Sequence, residues 1–254
     1  MIYRNRLEKF YYKKIVDTVR KAFKPLFLKR AERYLKEEGV FELLTFGESK
    51  EYGPQLHDLF ILHQEVRNLK PQHILEFGVG FSTIVMAHAL RLNHDDEIKK
   101  TKGATSQTPG RVYAVDSMKL WLDNCRNKFP LDLKPYADLR LSTPEVTLVA
   151  GELCHTFLEL PDICPGLIYL DGPDPHSVQG EHHNLSFSMK DSANKERYAM
   201  SADILLYESS LKPGARIIVD GRKNNTRFLR RGLKRRWKFW PNDTMNRYIF
   251  ELVE

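Results

Sequence analysis

The chain has 254 residues, 42% hydrophobic and 29% charged, enough to bury the core of one domain of about 200 residues with an appendage. No apolar run approaches the roughly 20 residues that cross a bilayer, and the N-terminus lacks the apolar stretch of a secretory signal. Three cysteines without metal-ligand spacing argue against a disulfide framework, so a reducing, cytoplasmic setting is expected.

The net charge of +7 is uneven. Residues 1–36 carry twelve Lys/Arg against three acids, and 221–240 carry nine Lys/Arg and no acid. Such surfaces suit RNA phosphates, an anionic membrane surface or an acidic substrate, and equally a solvated helix face.

In chain order, Leu7, Phe10, Tyr11, Ile15, Val19 and Phe23 recur at a helical period, and 26–38 reads as a charged helix ended by Gly39. A polar stretch over 46–54 reads as loop. A helix over 55–69 turns Leu56, Leu59, Phe60, Leu62, His63 and Val66 inward. From residue 72, strands alternate with helices. The expected strands are 72–77, 111–116, 146–151, 166–171 and 215–220. The expected helices are 82–92, 117–129, 152–160, 193–211 and 223–236, with a polar insertion at 93–110. "WKFWPN" and "NRYIFELV" then suit an antiparallel pair. This alternation predicts a largely parallel sheet covered on both faces. The division expected is a basic helical extension, 1–52, serving as lid, interface or surface anchor, and a catalytic domain, 53–254.

The chemistry begins at "HILEFGVGFST", 73–83. Gly78 and Gly80 follow the first strand, where a side chain would block a ligand approaching the backbone, and the helix near Ser82 offers unpaired N–H groups. A dinucleotide turn wants a third glycine, but Thr83 stands there. Glu76, at the strand end, would repel a pyrophosphate and attract a cationic amino-acid head group. Asp116 closes the second strand with a carboxylate suited to ribose hydroxyls, which would serve NAD as well as S-adenosylmethionine (SAM).

"ILEFGVGFST", "VYAVD", "LIYLDGPD" and "LKPGARIIVDG", in this order, resemble the strand motifs of class I SAM-dependent methyltransferases, and the glycine turn resembles their small-molecule O-methyltransferase branch. The resemblance spans about 70–254. It implies a Rossmann-like doubly wound α/β fold with a seven-stranded sheet in the order 3-2-1-4-5-7-6, the last strand antiparallel. It also implies that Glu76, Gly78, Gly80 and Ser82 line the methionine end of SAM and that Asp116 holds the ribose. Met118 and its neighbour Ser117 would flank the adenine, with Glu152, after the third strand, near the adenine amino group. Phe81 in place of a frequent third glycine, and the 93–110 insertion, depart from the pattern.

Methyl transfer needs positioning and removal of the acceptor's proton. The loop "DGPDPHSVQGEHHN" (171–184) supplies Asp171, a strand-end carboxylate, and His176 as the first choice of base, with His182 or His183 as competitors. Relatives that use a divalent metal such as Mg²⁺ hold it with residues at the positions of Asp171 and Asp220 plus a following Asn or Asp. Here that follower is Gly221, and Asn224, Asn225, Asp174 or a loop histidine would have to substitute.

The leading expectation is therefore a SAM-dependent O-methyltransferase acting on a small molecule or a saccharide hydroxyl. The alternatives are an RNA methyltransferase using the basic segments, with Tyr11, Tyr12 or Trp237 stacking on bases, and a non-catalytic adaptor peripheral to the membrane. An NAD-dependent dehydrogenase and a homodimer interface built from 1–52 complete the set.

Overall fold

The computed structural model describes residues 25–44, 55–102, 108–187, 200–242 and 247–254. The expected helix over 3–23, the loop at 46–54, the start of the helix over 193–211, and Tyr11 and Tyr12 lie outside them.

The strands are β1 (His73–Phe77), β2 (Arg111–Asp116), β3 (Ala137–Leu141), β4 (Pro144–Val149), β5 (Glu152–Phe157), β6 (Leu167–Leu170), β7 (Arg216–Asp220), β8 (Trp237–Asn242) and β9 (Arg247–Leu252). Seven of them form one sheet in the order β3-β2-β1-β6-β7-β9-β8, and β4 and β5 form a separate pair. β9 runs antiparallel to both neighbours, while β3, β2, β1, β6 and β7 are mutually parallel. Counted within the sheet this is the expected order, 3-2-1-4-5-7-6.

The helices are α1 (through 25–37), α2 (Leu56–Leu69), α3 (Phe81–Lys100), α4 (Lys119–Lys128), α5 (Asp203–Tyr207) and α6 (Lys223–Gly232). Central strands such as "HILEF" are apolar almost throughout because both faces are covered. Leu75, Phe77, Ile168, Leu170, Ile217 and Val219 pack towards Ile204, Phe228 and Leu229 of α5 and α6. Ile74, Ala114, Tyr169 and Ile218 pack towards Leu62 and Val66 of α2 and Ile84 and Leu90 of α3. Side chains alternate along a strand, so Glu76, Asp116, Asp171 and Asp220 take the α2/α3 side. α1 is fastened there too. Ala31 and Leu35 bury against Leu59, Phe60 and Val85, and Tyr34 Oη meets His63 Nδ1 at 2.9 Å. His63 Nε2 in turn meets His88 Nδ1 at 3.1 Å.

Five expectations are corrected. Within the described part of the helix expected over 193–211, only Asp203–Tyr207 is α-helix, followed by a 3-10 turn at Glu208–Ser210. The third strand of the sheet is 137–141, not 146–151: "ADLRL" is a half-exposed edge strand, whose mixed polarity hides it in the sequence. Residues 146–151 instead open a hairpin, and 152–157 is strand rather than helix. Ala150 and Gly151 both take positive φ (52° and 78°), as a two-residue hairpin turn requires. The insertion at 93–110 begins as helix, since α3 continues to Lys100. Finally, α6 stops at Gly232 rather than at 236, because Leu233 is extended. A Cβ on Gly232 would fall 2.8 Å from the Leu205 side chain.

Candidate active site

At the carboxyl end of β1 the chain turns away from the sheet at Gly78, whose φ of 105° is costly for any residue with a Cβ. The turn is interlocked with the one after β6. Gly172 N donates to Phe77 O at 2.6 Å, and a Cβ on Gly172 would lie 2.9 Å from Gly78 N. Both glycines are therefore required by close backbone contact between neighbouring turns. Gly80 differs. Its backbone is extended, and a Cβ there would meet no atom of the described residues within 4 Å.

Asp116 fastens this turn to β2. One carboxylate oxygen accepts from Val79 N at 2.9 Å and the other from Met118 N at 2.7 Å. The expected ribose ligand is thus also the residue that sets the glycine turn, and Met118 caps α4. Ser117 Oγ bonds Ser177 Oγ at 2.7 Å, drawing the loop after β6 over the tips of β1 and β2.

Glu76 is 1% exposed. Its Oε1 accepts from Ser82 Oγ at 2.5 Å, and its buried Oε2 has no partner among the described residues. Burial, above all, pushes its pKa up to about 8; the Asp171 and Asp116 charges add to this, and the Ser82 and Thr83 hydroxyls oppose it. Asp171 is open to solvent yet crowded by protein. Burial of its carboxyl, then the charge on Asp220, raise its pKa to about 6, with Asp58 and Asp116 adding to the rise and Arg222 opposing it. The upward shift at Asp220 comes from burial and then Asp58, with Arg247 opposing. Asp116, Glu76, Asp171 and Asp220 thus make a row of carboxylates along adjacent strand tips, a field that draws in a cation.

At the far end of the row, Tyr169 Oη donates to Asp220 Oδ2 at 2.9 Å, and Arg247, opposite Asp220 in register, is paired with Asp58 of α2. Arg222 Nε and Nη2 donate to Asp171 O at 2.8 and 2.5 Å, and Nη2 also to Pro173 O at 2.7 Å. Sequence reasoning missed Tyr169, Arg222, Arg247 and Asp58. Tyr169 sits two residues before Asp171, hence on its face of the sheet, and that spacing was a usable signal. Arg247 and Asp58, 189 positions apart, had none.

The loop histidines diverge. His176 lies in a short 3-10 turn beside Ser177 and is exposed, its N–H bonded to Asp174 Oδ1 at 2.9 Å. His182 is held in a turn with Leu185, its ring 4.4 Å from that of His183. The flanking segment is tied to the hairpin, through Gln179 to Pro144 and Val146, and Val178 and Phe187 to Val146 and Leu153. Glu152 starts β5, exposed, and pairs with Arg231 at 2.6 Å. Its expected place beside the adenine followed from a third strand that lies elsewhere, and the structure does not bring it to the row.

The basic run is largely consumed within the molecule. Arg222 and Arg235 bond main-chain carbonyls. Arg231 and Arg236 pair with Glu152 and Glu254. Arg230 lies over the Phe239 ring, and Lys238 faces Glu251. Trp237 donates from Nε1 to Glu208 at 2.9 Å, which occupies the polar edge of a residue considered for base stacking.

A metal does not fit the row. Asp220 accepts from a tyrosine hydroxyl, the Arg222 charge faces Asp171 and Asp220, and no group of three ligands is assembled among the described residues. A cationic cofactor does fit: among the described residues the buried Glu76 Oε2 has no partner, and none fills the space beside Gly80. A cavity of about 350 Å³ between Gln72, His73, Arg111 and Tyr113 lies at the opposite ends of the strands. No helix among the described residues is long and apolar enough to cross a membrane.

No protein-family model matches the chain, and no curated protein does. Solved structures of similar outline include an O-methyltransferase from Bacillus cereus in complex with SAH, at 13% identity and TM-score 0.46, covering 94% of this chain and 100% of that one. A SAH-bound methyltransferase from Podospora anserina is 11% identical, at TM-score 0.49, covering 100% and 99%. The O-methyltransferase TomG from Streptomyces achromogenes, with SAM, is 14% identical, at TM-score 0.44, covering 93% and 96%. Similarity of this degree assigns no function, which the residues must carry.

Proposed function

We propose that the protein is a SAM-dependent O-methyltransferase acting on a hydroxyl of a small molecule or saccharide. The observation that carries this is the Glu76 carboxyl: buried, with one oxygen unpartnered among the described residues, beside a glycine that no contact with them requires. A buried acceptor without a donor costs about 1–3 kcal/mol, and an ammonium from a ligand would remove that cost. A diphosphate would add negative charge beside Asp116, Asp171 and Asp220 and give the buried Glu76 oxygen no donor, which disfavours NAD. The internally paired arginines of 221–240 disfavour that run as a surface for RNA or anionic lipid.

When bound, SAM supplies an electrophilic methyl group, and the C–S bonding electrons leave with sulfur. The protein's part is placement and proton removal. Glu76 and the turn at 78–80 bind the amino-acid end, Asp116 the ribose. Asp171, solvent-open, with a pKa of about 6, takes the acceptor's hydroxyl proton at neutral pH, with His176 of the adjoining turn as the second candidate base. The extension expected over 1–52 serves as a lid, a role supported by the docking of its described helix α1 on α2 and α3.

Calorimetry with S-adenosylhomocysteine (SAH) tests the reading. Binding by the wild type and its loss in Glu76→Ala support it, whereas preferred binding of NADH would overturn it.

A further inference from the structure

The tips of β6 and β7 hold a fixed cation. Arg222 follows Asp220 by two residues, and its guanidinium reaches back across the cleft to three hydrogen bonds on the main-chain carbonyls of Asp171 and Pro173. It is half-buried, and the charges facing it are Asp171, Asp174 and Asp220. The carboxylate that would share a metal with Asp171 is turned to other partners: Asp220 accepts from Tyr169 Oη, and Arg247, itself paired with Asp58, lies opposite. Two guanidinium groups therefore border the two carboxylates on which a divalent ion would depend. Hard cations need several oxygen ligands and no adjacent positive charge.

We infer that this acceptor site works without a divalent metal, the Arg222 guanidinium standing as the built-in cation at the β6 and β7 tips. The acceptor's role rests on the methyl-transfer reading, but the exclusion of metal does not. The site then asks nothing of its acceptor by way of chelation, so a lone hydroxyl suffices where a metal would favour two adjacent oxygens. Arg222 is a positioning residue: it holds the loop after β6 and sets the charge beside Asp171.

The test is a titration of the full-length chain with Mn²⁺, read by water-proton relaxation. The wild type and Arg222→Lys should bind no tighter than about 1 mM, the weak end for oxygen-ligand sites. Arg222→Gln, which removes the charge, should bind at least about tenfold tighter, and adding Asp171→Asn should abolish the gain. Wild-type binding below about 0.1 mM that Asp171→Asn removes would overturn the inference, as would no gain in Arg222→Gln. The wild-type titration stands alone if that variant folds poorly. SAH calorimetry in parallel separates the two ideas, since a failure to bind SAH would sink the cofactor reading and leave the metal result untouched.

Discussion

Gly78 and Gly80 lie two residues apart in one turn, yet replacing each with alanine should produce opposite phenotypes. At Gly78 the φ of 105° and a Cβ placed 3.3 Å from Gly172 N oppose any side chain. Strain of this kind costs about 1–3 kcal/mol, and for a chain of this size each kcal/mol lowers Tm by about 2–4 °C. At Gly80 two small effects offset each other. Alanine lowers the entropy of the unfolded chain, a gain of about 0.4–1 kcal/mol, and it is a poorer residue than glycine at the start of α3, a loss of similar size. The net change in stability is within about 1 kcal/mol of zero. The new methyl, however, fills space that no described residue occupies and that the proposed ligand would take. Overpacking of about 1–3 kcal/mol corresponds to SAH binding weakened about 5- to 150-fold. Thermal melts and calorimetry on both variants decide the matter. If Gly80→Ala melted as low as Gly78→Ala, or bound SAH like the wild type, the idea that a ligand accounts for Gly80 would be wrong.

Glu76 makes the affinity for a cationic ligand depend on pH. Its pKa near 8 leaves the carboxyl protonated in the free protein at neutral pH, and an ammonium favours the ionised form, so binding expels a proton. Affinity should rise by up to about tenfold per pH unit up to pH 8 and then level off; a flat profile in the wild type, or an unchanged slope in Glu76→Gln, contradicts this. Glu152→Gln should leave SAH affinity within about twofold, because the side chain pairs with Arg231 on the surface; a large loss would return Glu152 to the site. The buried His63 and His88 have pKa values lowered to about 3 and 4, chiefly by burial. The unfolded chain thus binds more protons than the folded one below pH 6.5, and stability falls as pH drops from 6.5 towards 4. At about pH 4.5 the loss is up to about 5 kcal/mol for the pair. A Tm that held constant across that range would show that the pair is not buried in neutral form.

The sequence by itself marked the strands β1, β2, β6 and β7 and the glycine turn after β1, while the sheet order came with the family resemblance. Buried parallel strands must be short apolar runs, and a turn that meets a ligand or another backbone must shed its Cβ, so "HILEFGVG" and "LIYLDGP" are readable as they stand. It did not reveal β3, because an edge strand satisfies one side with solvent and needs no apolar signature, and Glu152 was misplaced with it. Nor did it separate the two glycines, since the need for Gly78 arises from Gly172, 94 positions away. Tyr169 was within reach through its spacing to Asp171, but the charges of Asp58 and Arg247 beside Asp220 were not, for the same reason: they come from distant elements, and only the packing of α2 against β9 places them together.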